Sequence, residues 1–290
     1  EDVIGILEKR RSLWGRGPEA GSWTSGSPGY ARTKENRYCS PLPPDLTDAP
    51  VIPPGWTLTS MDALTIRITS GSRDWTPFYG TGSGTFLMAQ NVRPGRLDLS
   101  ARQPVDPPRD DPSRYRSEVR RGDLLVTIVG ANTGDVCRVT EDLPEHYICQ
   151  SVALMRPVLP ETSSYLCLYM DSESGGQRQY KRYIYGAGRP HLSFAQLKAS
   201  VVGLPPLPEQ HRIVAEVERR LPVVEQLEAT VEANLKRAGR LRQAVLKRAF
   251  EGRLVPQDPN DEPASVLLER IRAQRAERQN STPARHRVVS

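Results

Sequence analysis

Hydrophobic positions recur every three or four residues along the second half of the chain. Val214, Val217, Leu221, Val224, Leu227, Val231, Leu235, Ala238, Leu241, Val245 and Ala249 follow this step. The period draws an apolar stripe down one face of an α-helix and leaves charges on the other faces. From Val223 to Phe250 such a helix runs roughly 42 Å at 1.5 Å per residue. One small domain cannot cover a stripe of that length, so the pattern predicts a rod that joins or separates other parts, not an ordinary core helix. Pro222 lies inside the pattern and lacks a backbone donor, which predicts a kink or short break there.

The rest of the chain is patterned differently. Val3 to Trp14 (VIGILEKRRSLW) reads as a short amphipathic helix with a basic end, and residues 15–52 as a Pro/Gly-rich linker, partly disordered. Pro53-Pro54-Gly55-Trp56 is a turn that opens a domain. Leu58–Ile68 mixes strand and helix signals, and Ser70–Phe86 is dense in Gly, Ser, Thr and aromatics. Strands are predicted at Thr85–Gln90, Leu124–Ile128, Val136–Val139, Val152–Arg156 and Val201–Leu204. A tight loop is expected at Gly130–Gly134 and another at Gly186–His191. A helix is expected from Ser164 to Met170, continuing through Gln177–Tyr183, and a short one at Ser193–Lys198. Short strands and helices without βαβ regularity define an α+β globule over residues 53–207. The long helix spans 208–254, and 255–290 holds a short helix and a disordered tail. Val266–Arg275 (VLLERIRAQR) echoes the opening helix, as if the chain ran from the end of one repeat to the end of the next.

Composition narrows the classes. Hydrophobic content is 37% and mean hydropathy −0.53, which fits a modest core plus exposed helix and tails. The net charge of +6 is a mild bias toward polyanions. Cys39, Cys137, Cys149 and Cys167 form no C-x-x-C pair, so neither a zinc site nor a disulfide framework is expected, and a reducing cytoplasm is. No apolar run reaches the ~20 residues of a membrane span. The opening residue is Glu, so the chain is expected to begin inside a longer reading frame or after processing.

Two strings suggest catalysis. Phe78-Tyr79-Gly80-Thr81-Gly82 resembles the F-x-G-x-G loop of S-adenosylmethionine methyltransferases, and Asp106-Pro107-Pro108 their D-P-P-Y loop. The Gly string lacks a buried apolar strand before it, however, and Arg109 stands where the base-stacking aromatic belongs. No nucleophile elbow, P-loop or H-E-x-x-H appears, and His146, His191, His211 and His286 are scattered. No catalytic residue and no metal ligand is assigned.

A binding protein is the reading that remains. Nucleic acid needs cations for phosphates and planar or hydrogen-bonding groups for base edges. Arg73, Trp75 and Tyr79 fall in the first Gly/Ser-rich loop. Asn132 and Thr133 lie in the tight loop, and Gln150 just before a strand. Arg178, Lys181, Arg182, Tyr183 and Arg189 form a later basic–aromatic cluster. Arg suits guanine, and Asn or Gln adenine. The set, clustered around Gly-rich loops, points to DNA.

The order of motifs resembles one half of a specificity subunit of type I restriction–modification enzymes. Pro53-Pro54-Gly55-Trp56 is similar to the family's P-x-G-W opening. Gly122-Asp123-Leu124-Leu125-Val126-Thr127-Ile128-Val129-Gly130 is similar to its G-D-x-L-x-x-x-x-G run, and Gly130–Gly134 to its G-N-T-G-like turn, with Ala131 before the Asn here. Leu204–Gln210 resembles its Pro-rich passage into the helix. Leu241–Gly252 (LRQAVLKRAFEG) is the most specific match. The resemblance implies that the globule is a target recognition domain for one half of a split sequence in double-stranded DNA. It implies that the long helix pairs with a second such helix through Val224, Leu227, Val231, Leu235, Ala238, Leu241, Val245 and Ala249. The partner would be a second specificity half, in the same longer chain or by dimerisation. The helix would also dock DNA methyltransferase subunits, and restriction/translocase subunits would complete the complex. S-adenosylmethionine, ATP and Mg²⁺ would belong to those partners, with no cofactor in this chain. Residues 1–14 would be the tail of a preceding repeat. The alternatives are a self-contained DNA methyltransferase and an assembly scaffold that does not bind DNA.

Overall fold

A computed structural model describes residues 3–14, 40–184 and 190–280. In chain order the first elements are α1 (Val3–Trp14), β1 (Thr57–Ser60), α2 (Met61–Leu64), β2 (Thr65–Ser70), β3 (Tyr79–Leu87), β4 (Val92–Arg93), β5 (Arg96–Leu97) and β6 (Gln103–Val105). Then come α3 (Pro112–Ser117), β7 (Leu124–Thr127), β8 (Val136–Arg138), β9 (His146–Ile148), β10 (Val152–Pro157), α4 (Ser163–Asp171) and α5 (Gly176–Ile184). Last are α6 (Phe194–Ala199), β11 (Val201–Leu204), α7 (Leu207–Phe250) and α8 (Ala264–Asn280). Two compact units divide the chain, Glu1–Arg219 and Arg220–Ser290.

The first unit is the expected α+β globule, built on a four-stranded antiparallel sheet in the order β2-β10-β7-β8. Successive strand side chains point to opposite faces, and the core follows that rule. Leu124, Val126, Ala153 and Met155 pack in one apolar cluster with Leu166, Met170, Tyr180 and Leu197 from the helices. Leu125, Val152 and Leu154 enter a second cluster with Trp75, Phe86 and Tyr147. Both faces are covered, which is why these strands read as unbroken apolar runs. The second face carries a smaller sheet, β6-β3-β9, in which β3 and β9 run parallel. The first and last strands of the globule, β1 and β11, pair with each other from Thr57↔Leu204 to Ser60↔Val201.

The motif strings turn out to be structural staples. Asp123 of the Gly-Asp run is 1% exposed. It accepts from Nε and Nη2 of Arg156, both at 2.8 Å, and from the Arg120 amide at 2.7 Å. The indole N–H of Trp56 donates to Glu209 at 3.1 Å, joining the opening turn to the start of α7 across 153 residues. Beside it, the buried Gln210 side chain donates to the Pro205 carbonyl at 2.9 Å.

Several expectations are revised. The linker does not extend to residue 52 as a free segment. The Leu42 amide donates to Asp62 at 2.9 Å, Ser60 donates to the Leu42 carbonyl at 2.6 Å, and the Asp45 amide donates to Ala199 at 2.8 Å. Residues 15–39 lie outside the described residues, as do 281–290. The opening helix is integral to the globule: Ile6 joins its core, and Arg10 donates to the Thr65 carbonyl at 3.0 Å and pairs with Asp62 at 3.6 Å. The helix predicted to continue from Met170 to Tyr183 is two helices, α4 and α5, because the chain turns sharply at Gly175–Gly176. A Cβ at Gly175 would sit 2.3 Å from the Tyr169 carbonyl oxygen, and one at Gly176 2.4 Å from that of Met170. Asp111 caps α3, accepting from the Ser113 amide at 2.7 Å.

In the second unit α7 continues and α8 follows. The helix assignment passes through Pro222 without interruption, so the break allowed by sequence does not occur. The helix ends in paired bonds, Gly252 N–H to Ala249 at 3.1 Å and Arg253 N–H to Arg248 at 2.8 Å. Gly252 has φ +69°. This is a Schellman cap, and it explains the Glu251-Gly252-Arg253 string.

Candidate nucleic-acid interface

Strand direction gathers the candidate residues. In the antiparallel order β2-β10-β7-β8, the last residue of β2, the first of β10, the last of β7 and the first of β8 lie at one end of the sheet. Ser70 pairs with Ala153, and Val152 with Thr127. The segments 71–75, 128–135 and 149–151 therefore leave from the same end. Cross-links bind them together. The Gly71 amide donates to the Cys149 carbonyl at 3.2 Å, the Ile128 amide to Ser151 at 2.8 Å, and the Leu192 amide to Ile128 at 2.9 Å. A Cβ on Gly71 would fall 1.5 Å from the Ile148 carbonyl oxygen, so only glycine permits this crossing.

A cleft of about 270 Å³ opens at this end, lined by Arg73, Tyr79, Gln90, Gln150 and Ser151 among others. Arg73 and Gln150 are exposed, and their side chains have no hydrogen-bond or ion-pair partner among the described residues. Tyr79 is half-buried, 5.4 Å from the Phe86 ring, and burial raises its phenol above the usual value. Asn132 and Thr133 sit in the neighbouring turn, where the Thr133 hydroxyl donates to the Gly130 carbonyl at 2.7 Å. That turn requires its glycines: Gly130 has φ +120° and Gly134 φ +103°.

Not every candidate is offered to a ligand. Trp75 is a correction: it is 1% exposed, with Phe86 and Tyr147 at 5.6 and 5.5 Å. Its indole donates to Asp111 at 2.6 Å. It is a core residue, its ring buried because β3 and β9 close over it. The Asp111 carboxyl is pushed up by burial, but the bonds from Trp75 and Ser113 outweigh this and leave it lowered. The α5 cluster is partly engaged within the globule. Lys181 pairs with Glu173 at 2.6 Å. Arg182 pairs with Asp45 and lies 4.8 Å from the Tyr183 ring, whose hydroxyl donates to Asp45 at 3.0 Å. Asp45 is lowered to about 2, chiefly by the hydroxyl and amide of Thr47. Arg178 is exposed and has no partner among the described residues. Arg189 lies outside the described residues.

Gln90 was not singled out from sequence. The sequence pattern puts it at the end of the strand expected at Thr85–Gln90, whereas it stands in a 3-10 turn, Ala89–Asn91, and lines the cleft. The methyltransferase-like strings also take an unexpected form. Phe78–Gly82 runs from a 3-10 turn into β3, and the Asp106 amide donates to Phe78 at 3.2 Å. They belong to an antiparallel ladder, not to a strand–loop–helix cofactor cradle. Among the described residues no group of three or more His, Cys, Asp or Glu could hold a metal. Cys137, Cys149 and Cys167 are free and buried. Among the described residues no helix is long and apolar enough to cross a membrane.

The stripe on α7 is uncovered. Leu227, Leu235 and Leu241 are 61%, 68% and 58% exposed. Val224, Val231, Ala238 and Val245 are exposed as well, and Ala249 is half-buried.

The chain is thus an α+β globule with a loop-lined cleft, followed by a long helix whose apolar stripe is exposed among the described residues. No protein-family model matches the chain. The specificity subunit of the type I restriction enzyme EcoBI from Escherichia coli is 32% identical over 198 residues, covering 64% of this chain and 40% of that protein. The EcoKI specificity subunit from Escherichia coli strain K12 is 27% identical over 202 residues, covering 66% of this chain and 43% of that protein. A solved chain from a study of complex assembly and conformational transition in a type I R-M system shares the fold. Its TM-score is 0.51 at 21% identity, over 87% of this chain and 56% of that one. The chain is similar in sequence to specificity subunits of type I restriction enzymes. It spans about two-fifths of the length of these curated relatives.

Proposed function

We propose that this chain reads one half of a split sequence in double-stranded DNA through the loop end of its four-stranded sheet. The observation that carries the reading is the convergence of segments 71–75, 128–135 and 149–151 at one end of that sheet, where Arg73 and Gln150, without side-chain partners among the described residues, share a cleft. Cations supply phosphate affinity, and side chains held on rigid turns supply base discrimination. The exposed seam of α7 pairs with the corresponding helix of a second specificity half and docks methyltransferase subunits. Burying the two stripes against each other fixes the spacing of two readers, which a flexible tether cannot do. The chain itself is non-catalytic. Methylation and cleavage reside in methyltransferase and restriction/translocase subunits, which carry S-adenosylmethionine, ATP and Mg²⁺, and the complex works in the cytoplasm.

Selection from a pool of randomised duplexes, with the chain purified together with the proteins that accompany it, tests the reading. A defined half-site is expected; recovery of bulk DNA without sequence preference would overturn it. Mass spectrometry of the accompanying proteins should find a DNA methyltransferase.

A further inference from the structure

Seven glutamines stand between residues 40 and 219 of the chain. Five spend their carboxamides on the fold. Gln103 donates to the Pro104 carbonyl, Gln177 to Gly134 and Gln179 to Val201. Gln196 accepts from the Ser193 amide, and Gln210 donates to Pro205. Gln90 and Gln150 are the remaining two. Both are exposed, and neither side chain has a partner among the described residues. Although 60 positions apart in sequence, they line the same cleft.

The backbone under each is locked. Next to Gln90, the 1% exposed Asn91 accepts from the Met88 amide at 2.9 Å. Its own amide group donates to Asp98 at 2.8 Å and Ala101 at 2.7 Å. Next to Gln150, the Cys149 amide donates to Leu87 at 2.9 Å and the Cys149 carbonyl accepts from Gly71 at 3.2 Å. The Cys149 sulfur lies 2.9 Å from the Ser151 hydroxyl. Two free carboxamides on two immobilised turns are presented with little backbone entropy left to lose on binding.

We propose that Gln90 and Gln150 are specificity-determining residues, each reading an adenine from the major groove, so that the half-site contains two A·T positions set by this cleft. The inference rests on the reading that the loop end of the sheet contacts DNA. A carboxamide offers one acceptor and one donor side by side, matching the N6 amino group and N7 of adenine. Arg73 on the same rim supplies the charge that holds the backbone or a neighbouring guanine.

The test is selection of randomised duplexes by the full chain with its accompanying proteins, as wild type, Gln90→Ala, Gln150→Ala and Gln150→Glu. The exposed positions leave thermal unfolding unchanged, which is checked first. Each alanine variant is expected to erase one adenine from the selected sequence and weaken the cognate duplex about ten- to hundredfold. Binding to bulk DNA and its salt dependence should stay as in the wild type. Glutamate accepts from the cytosine amino group, so Gln150→Glu should exchange adenine for cytosine at one position. A wild-type half-site retained by both alanine variants overturns this inference and leaves the proposed function standing. So does a uniform weakening that marks phosphate contacts, or loss of a base other than adenine. A wild-type chain that selects no sequence overturns both.

Discussion

Replacing Arg156 by Met should strongly destabilise the α+β globule without altering the half-site proposed for it. The Arg156 and Asp123 side chains are 9% and 2% exposed. Two of the Arg156 bonds go to the Asp123 carboxylate at 2.8 Å each, and one to the Glu118 carbonyl at 3.2 Å. Methionine fills most of the aliphatic space but leaves a carboxylate buried beside strand β7, with the guanidinium that gave it two bonds removed and the Arg120 amide still donating to it. Removing one partner of such a pair costs about 3–5 kcal/mol, because the remaining charge is stranded. Folded domains keep only ~5–15 kcal/mol in total, so the midpoint of urea unfolding, followed by the fluorescence of the buried Trp75, should fall steeply. Asp123→Asn combined with Arg156→Met removes both charges, and the asparagine oxygen still accepts the Arg120 amide. This pair should recover more than half of the loss. In both variants the half-site selected by whatever fraction remains folded should be unchanged. A single variant as stable as the wild type refutes the reasoning, and so does one that stays folded but selects a different sequence. In either case the Gly-Asp run is not a structural staple.

Other consequences are equally direct. Arg73→Ala should relax or weaken recognition by about 1–3 kcal/mol if its guanidinium meets a base; an unchanged affinity and selected sequence would remove it from the interface. Leu241→Asp with Val245→Asp should abolish copurification of partner proteins while near-ultraviolet circular dichroism of the globule is retained. Gly71→Ala should prevent folding, since its Cβ meets the Ile148 carbonyl at 1.5 Å; a soluble variant with native melting would contradict the crossing described above. Asp171 is raised to about 6 from 3.8 by burial and by the nearby Asp135. The folded state therefore binds more protons than the unfolded state between those values, and this group's contribution to stability falls as pH rises through them. Asp171→Asn should flatten that part of the stability–pH curve and stabilise the chain at pH 7; an unaltered curve would show that the carboxyl titrates normally.

Much of the architecture was legible in order and kind. The strand expected at Val201–Leu204 is β11, and the Leu124–Ile128 and Val152–Arg156 runs are the central pair β7 and β10. Their β-branched and aliphatic runs, bounded by turn residues, carry that information locally. The short strands β5 and β9 were not foreseen, because two or three residues cannot show a period and pairing alone makes them strands. The candidate site was half legible. Residue types picked out Arg73, Asn132 and Gln150, yet the same signal picked Trp75, whose burial depends on a lid formed by β3 and β9. It passed over Gln90, which had no local mark to separate it from a strand residue.

The chain's own pattern determined the amphipathic rod, the α+β character of the globule and the family motifs, because each rests on spacing between near neighbours. The tertiary structure decided which motif residues serve the fold and which remain free. Asp123 reaches Arg156, and Trp56 reaches Glu209, so these residues of the motifs are consumed internally. Gln90 and Gln150 have no side-chain partner among the described residues and share one cleft, because strand pairing brings loops distant in sequence to a common edge. Hydrogen-bond satisfaction is a property of partners in space, and no local spacing encodes it.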